Sequence, residues 1–314
     1  MLPPSGEQFE IAFEDQLAVA VEVGGGLRTY TVGGRDVLAG YGMDEMCSAG
    51  RGQLLAPWPN RLQDGSYEFG GRRHQLPLTE PEHANAIHGL VRWAPWSVRT
   101  HEPHRVALGH VLHPQPGYPF TLELEVAYEL SERGLAVRTT AANVGDEPCP
   151  YGSGSHPYLR VGTETVDDVV LRIPARVELR SDERGIPIGR VPLEGTELDF
   201  RTPRHIAETK LDNGFTDLER DEDGVATVVL ESVDGGASVA LWADAQYPYV
   251  MVFTGDHPAV DRRGLAVEPM TCPPNAFRTG EDLVTLAPGE SHVATWGIRV
   301  DVREEANEAP RLRV

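Results

Sequence analysis

"TLELEVAYELSERGLAVRTTAANV", residues 121–144, holds two runs in which apolar and polar side chains alternate, at 121–130 and 135–144. A period of two puts successive side chains on opposite faces of an extended chain and marks half-buried strand. The same period recurs in "FEIAFE", "LAVAVEV", "LRTYTV", "SYEF", "ATVVLES", "ASVALWA", "YVMVFTG" and "VATWGIRV". Helical periodicity is scarce, with short turns expected only near 43–47, 205–209 and 276–282. Gly70 and Gly71, between "SYEF" and "RRHQL", predict a tight hairpin. The 33 glycines and 25 prolines are spread over the chain, which implies many turns and few long helices. The simplest architecture is all-β: one large antiparallel β-sandwich spanning 1–314, with its core at about 8–300. "REEANEAPRLRV", 303–314, is charged, lacks apolar period and reads as a loose tail.

Lysine and arginine number 28 against 48 aspartates and glutamates, a net charge of −20. Such a surface repels phosphate backbones and anionic lipids, so nucleic acid and membranes are poor partners, a small neutral ligand is a better one, and a phosphorylated one needs a local basic patch. The three cysteines, Cys47, Cys149 and Cys272, are odd in number, far apart and form no CxxC, which excludes a disulfide framework and a zinc ribbon. The amino-terminal stretch has no basic start followed by an apolar run, and no window approaches about 20 apolar residues. Together these predict a cytoplasmic setting. Monomer and homodimer both stay open.

Five stretches break the strand pattern. "LLAPWPNRL" stiffens a loop with Pro57 and Pro59 and presents Trp58, Asn60 and Arg61. An amide and a guanidinium held there offer fixed donors to hydroxyl oxygens, and the indole either stacks on a sugar or anchors the loop from within. "NAIHGLVRWAPW" sets His88 before Gly89, which permits close backbone approach. "PYGSGSHPYL" locks His156 between a Gly/Ser-rich bend and Pro157. "KLDNGFTDL" reads first as a turn at Asp212, Asn213 and Gly214, while Asp212 could also accept hydrogen bonds from sugar hydroxyls; Asp217 is the other acid there. "GLAVEPMTCPPNAF", 264–277, puts Glu268 at an apolar strand end with Pro269 behind it, and Asn275 and Phe277 could line the same pocket. The pairs His101/His104 and His110/His113 point to opposite strand faces and make poor metal ligands. No metal site and no cofactor are expected.

In this order the five stretches resemble the aldose 1-epimerase (galactose mutarotase) family. The resemblance runs from about Phe9 to Val300 and rests on Asn-Arg after a proline-rich turn, His-Gly, Ser-His-Pro-Tyr, Leu-Asp-Asn-x-Phe and Val-Glu-Pro. It implies a galactose mutarotase-like supersandwich that interconverts α and β anomers of a free aldohexose without a cofactor. It also implies Glu268 as catalytic base, His156 as catalytic acid, and Arg61, His88 and Asp212, with Asn60 beside them, as substrate-binding residues. The chain departs from the pattern after His-Gly, where it reads "LVRW". Arg92 there is similar to the hexose-6-phosphate epimerase branch, and Arg72, Arg73 and Arg92 could form a phosphate patch. The plain alternative is a hairpin with solvated arginines. Two further readings remain: a glycoside hydrolase using Asp212 and Glu268, and a non-catalytic carbohydrate-binding domain.

The chemistry explains the residue types. Opening a cyclic hemiacetal removes a proton from the anomeric hydroxyl and delivers one to the ring oxygen. Both groups must work in either protonation state near neutral pH. Histidine does so unaided, and a carboxyl does so when apolar surroundings disfavour its charge.

Overall fold

A computed structural model of the protein describes residues 2–302. The 303–314 segment lies outside these. The two runs that open the sequence argument become Leu122–Ser131 and Gly134–Asn143, paired antiparallel along their whole length. They lie inside a nine-stranded sheet with Ser97–Glu102 at one edge and Arg204–His205 at the other. A second, eight-stranded sheet runs Pro187–Pro192, Ala175–Ser181, Asp212–Leu218, Tyr249–Phe253, Leu265–Met270, Gly154–Ser155 and Leu54–Leu55, with Tyr158–Leu159 also on Leu265–Met270. Every pairing in both is antiparallel. A four-stranded sheet from Gln8–Phe13 to Arg35–Asp36 completes the large elements. The expected antiparallel β-sandwich is the fold found.

One buried apolar cluster takes side chains from all three sheets, among them Ile11, Leu124, Val126, Phe215, Val252, Val267, Trp296 and Ile298. Burial of that surface is the main driving force for the fold. Among the described residues the only α-helix is Ala276–Thr279, within the 276–282 stretch, while 43–47 and 205–209 hold the short turns expected there, at 43–44 and 207–208, and no helix. Gly70 and Gly71 do form the tight hairpin turn between Ser66–Phe69 and Arg72–Gln75, both with positive φ. No helix in the described part is long and apolar enough to cross a membrane.

Two expectations need correction. Glu268 is not the last residue of its strand, because Leu265–Met270 continues through Pro269 and all six residues are buried. The neighbouring chain is interrupted there, pairing Gly154 with Met270 and Tyr158 with Ala266 but forming no ladder between. A residue without an N–H is therefore tolerated inside the sheet. Asp212, Asn213 and Gly214 form no turn but open the strand Asp212–Leu218, paired with Tyr249–Phe253.

Candidate active site

The register of the eight-stranded sheet assembles one wall of a cleft of about 390 Å³. Two residues on from the Gly154↔Met270 pair and two back from Tyr158↔Ala266, His156 falls opposite Glu268. Directly opposed residues share a face of the sheet, as do residues two apart. Tyr158, Ala266, Phe253 and Asp212 form the adjacent row, through Phe253↔Ala266 and Asp212↔Phe253. Residues separated by 56 and 112 positions in sequence thus meet on one surface.

His156 Nε2 lies 3.3 Å from Glu268 Oε1, and both side chains are almost fully buried. The backbone around His156 is fixed on both sides. Its N–H donates to Gln53 O at 3.1 Å and its carbonyl accepts from Gly52 N–H at 2.9 Å. The Ser155 hydroxyl accepts from Trp296 Nε1 at 3.0 Å, which ties this strand to the opposite sheet. The imidazole stacks on the Tyr158 ring at 5.0 Å and 19°. The Tyr158 hydroxyl in turn donates to Ala49 O at 3.0 Å. The 47–52 loop closes over the imidazole at Gly50, where φ is +72° and a Cβ would stand 2.8 Å from His156 Cδ2.

Burial governs the protonation of this pair. Desolvation, then the nearby Asp212 charge, lifts the Glu268 carboxyl well above its ordinary value, with Arg61 opposing. Desolvation pulls His156 down to about 3. Both shifts disfavour charge, which favours a carboxylic acid beside a neutral imidazole over the ion pair, with one proton between the two groups in either form. Glu268 Oε2 and His156 Nδ1 have no protein partner.

Loops and a short ribbon build the other wall. Arg61–Gln63 pairs with Asn85–Ile87. Asn60 and His88, which flank it, both have left-handed backbones, with φ of 54° and 62°. Such conformations cost of order 1 kcal/mol or more and persist where surrounding contacts over-determine them. Here the contacts are reciprocal. His88 N–H donates to Asn60 O at 2.9 Å, and Asn60 N–H donates to His88 Nδ1 at 3.2 Å. The Nδ1 lone pair is thereby used, so in the neutral ring Nε2 carries the hydrogen. Burial keeps His88 neutral by holding its pKa well below the usual range. Gly89 allows the close approach expected of it, since a Cβ there would lie 1.9 Å from Ala56 O.

Arg61 is gripped by Glu80, with Nε at 3.0 and 3.1 Å from the two carboxylate oxygens and Nη2 at 3.1 Å. Burial opposes the Arg61 charge, but Glu80, Asp212 and Glu268 outweigh it and raise its pKa. Asn85 Nδ2 donates to Glu80 at 2.8 Å and to Arg184 O at 2.9 Å. Arg184 reaches back to the carbonyls of His83 and Ala84, both at 2.8 Å. Gly185 lies against Arg61, where a Cβ would come within 2.4 Å of Nη1. Asp212 lines the cleft on the sheet side, its carboxyl pushed up by burial and held down by Arg61.

All six residues picked from the sequence, Asn60, Arg61, His88, His156, Asp212 and Glu268, line this cleft. Asn275 and Phe277 do not. Asn275 Oδ1 accepts from Gln63 N–H at 3.1 Å, and Phe277 packs in the core against Trp58 at 5.4 Å. Trp58 is therefore the buried anchor of its loop. Arg72 and Arg73 lie outside the cleft as well. Arg72 is exposed, 3.5 Å from Glu147, and Arg73 donates to Ser66. Arg92 does line it. The sequence reading missed Glu80, Gly50 and Gly185, which carry no local signal because only their spatial neighbours give them a role. The nearest ligand-capable atoms of His88, His156 and Glu268 lie within 4.8 Å of one another. Asn60 occupies the His88 lone pair, so that ring is a donor and a poor metal ligand.

Comparison with known proteins gives the family and the fold. The family model described as aldose 1-epimerase matches residues 8–299. The uncharacterised protein YihR of Escherichia coli K12 is 36% identical over 289 residues, 92% of this chain and 91% of its own. A maltose epimerase of Levilactobacillus brevis is 25% identical over 70% of this chain and 71% of its own. An aldose epimerase homologue from C. elegans superposes with a TM-score of 0.85 at 20% identity, covering 95% of this chain and 99% of that one. A galactose 1-epimerase from Lactobacillus acidophilus gives 0.78 at 21% identity, covering 95% and 99%. At these identities the two superpositions speak to the fold alone.

Proposed function

We propose, for a chain that belongs to the aldose 1-epimerase family, that it interconverts the α and β anomers of a free aldohexose by acid/base opening and closure of the ring. The observation that carries this reading is the buried contact of 3.3 Å between His156 and Glu268 at the wall of an open cleft. Anomer exchange moves one proton off O1 and one onto O5, so it needs two proton-transfer groups and leaves their total unchanged. A pair that shares one proton meets that requirement.

In this proposal sugar hydroxyls entering the cleft restore the solvation that burial removed. The proton on Glu268 crosses to His156, and the Arg61 charge stabilises the carboxylate left behind. Glu268 then takes the O1 proton while His156 gives its proton to O5, and the hemiacetal bond opens. Rotation about C1–C2 and the reverse transfers close the ring on the other face. Arg61, His88 as an Nε2–H donor, Asp212 and Asn60 hold the remaining hydroxyls. The maltose epimerase among the relatives supports a reducing sugar as substrate.

The test is anomer exchange of freshly dissolved α-D-glucose and α-D-galactose, followed by polarimetry or NMR, with Glu268→Gln as control. Acceleration over buffer that the variant loses is the expected result. Sugar binding without acceleration would make this a carbohydrate-binding domain instead, and release of sugar from a glycoside would favour the Asp212/Glu268 hydrolase. Hexose 6-phosphates fit less well, because only Arg92 of the three candidate arginines lines the cleft.

A further inference from the structure

Two arginines line the cleft, and they are held in contrasting ways. Arg61 has its charge matched by Glu80 at 3.0 Å. Arg92 has no carboxylate within 4.0 Å among the described residues. Its guanidinium meets only neutral acceptors, the Gln53 Oε1 at 3.5 Å and the Ile87 carbonyl at 3.4 Å. The adjacent Cys47 thiol offers no compensating charge, since burial pushes it up to about 11. Burial also lowers the Arg92 pKa, the mark of a guanidinium short of solvation. A cation in that state gains when an anion enters beside it.

The arginine is also firmly placed. Gln53, a buried side chain, donates from Nε2 to the Arg92 carbonyl at 3.2 Å while its Oε1 accepts from the guanidinium. Gly24, at φ +80°, packs so closely on that carbonyl that a Cβ would stand 2.5 Å from it, and Gly24 N–H donates to Ala94 O at 2.8 Å. An amide therefore orients the guanidinium without cancelling its charge. Trp93 stands next to it at the mouth, half exposed.

We propose that Arg92 makes the cleft selective for an aldose bearing a single negative charge away from its anomeric carbon, such as a carboxylate, sulfonate or sulfate ester. This rests on the epimerase reading above and names its substrate class. The single charge follows from the cleft's own balance. One unmatched guanidinium neutralises one charge, and Asp212, Glu80 and Glu82 line the same cleft. A phosphate dianion would leave a second charge facing those carboxylates in a protein that already carries −20.

Anomer exchange by NMR with glucose, glucuronate, glucose 6-sulfate and glucose 6-phosphate tests this directly. Expected is a kcat/KM for glucuronate or the 6-sulfate about tenfold or more above glucose, the worth of one added charge-assisted pair. The faster of the two identifies the anion as planar carboxylate or tetrahedral sulfur oxyanion. Arg92→Gln is expected to shrink that ratio towards one. Competition of each mono-anion against glucose exchange in the unmodified protein gives a second readout that needs no variant. Glucose exchanged as fast as both mono-anions, or a ratio that survives Arg92→Gln, overturns the proposal and leaves the epimerase reading standing. Glucose 6-phosphate as the best substrate overturns the single-charge argument. Exchange of none of the four sugars overturns the epimerase reading, and this one with it.

Discussion

The sheet wall and the loop wall of the cleft hold their polar groups by opposite means. On the sheet wall, His156 and Glu268 touch one another and otherwise have few polar neighbours, with His156 Nδ1 and Glu268 Oε2 unpartnered. Their positions come from backbone register, Tyr158 stacking and Gly50 closure. On the loop wall, side chains brace side chains, from Arg184, whose Nη2 donates to Asn85 Oδ1 at 3.3 Å, through Asn85 and Glu80 to Arg61. A group meant to change protonation is left short of hydrogen bonds in a dry place, which moves its pKa. A group meant to stay charged and still is given partners. In the proposed reaction the contrast separates proton transfer from positioning, and each half can be broken alone.

The sharpest break removes a sheet-wall proton carrier. Glu268→Gln should lower kcat for anomer exchange by roughly 10²–10⁴-fold, with the far-UV circular dichroism of the β-sandwich retained. A variant within a few-fold of the parent would remove Glu268 from the chemistry. Gly50→Ala comes next. Its Cβ would press on His156 and its φ is left-handed, so kcat should fall about tenfold with KM nearly constant, at a stability cost of roughly 1–3 kcal/mol. Steady-state kinetics in which KM rises instead would mean that Gly50 serves binding.

The loop wall should fail in the other parameter. Gly185→Ala crowds Arg61, and it should raise KM several-fold, about 1 kcal/mol of binding, while kcat changes little. An equal loss in kcat would erase the division between the walls. The smallest expected effect is thermal. Glu268 keeps its proton in the fold after the unfolded side chain has lost it, so its contribution to stability declines as pH rises above the ordinary carboxyl range. Glu268→Gln does not titrate. Its melting temperature should exceed the parent's by an increment that grows from pH 5 to pH 8, on the order of 2–4 °C at the top. His156, lowered to about 3, costs both proteins stability as pH falls from about 6.5, so that limb should be common to the two scans. An increment that stays constant with pH would show that Glu268 is ionised in the fold.

Much of the site was legible because proline, glycine and histidine at strand ends disturb a simple alternation. "SHPYL" and "VEPM" stood out against period-two surroundings, and "IHGL" announced a close backbone approach. Where the reading erred, a local rule met a stronger contact elsewhere. "LDNG" has turn chemistry, yet pairing with Tyr249–Phe253 makes it a strand. Pro269 reads as a terminator, yet the gap between Gly154 and Tyr158 lets the strand continue. Phe277 belongs to the packing of Trp58 and Tyr67 instead of the cleft.

By itself the amino-acid sequence determined the fold class, since alternation along a chain is a local property that survives in any arrangement of strands. It also determined which chemical groups were available and the net charge of −20 that surrounds them. Only the tertiary structure decided which groups meet, how dry they are and who neutralises whom. Register set His156 against Glu268, burial disfavoured the charge on both, and Glu80 went to Arg61 and not to Arg92. Desolvation and charge pairing depend on distances between residues far apart in the chain, and no local pattern encodes them.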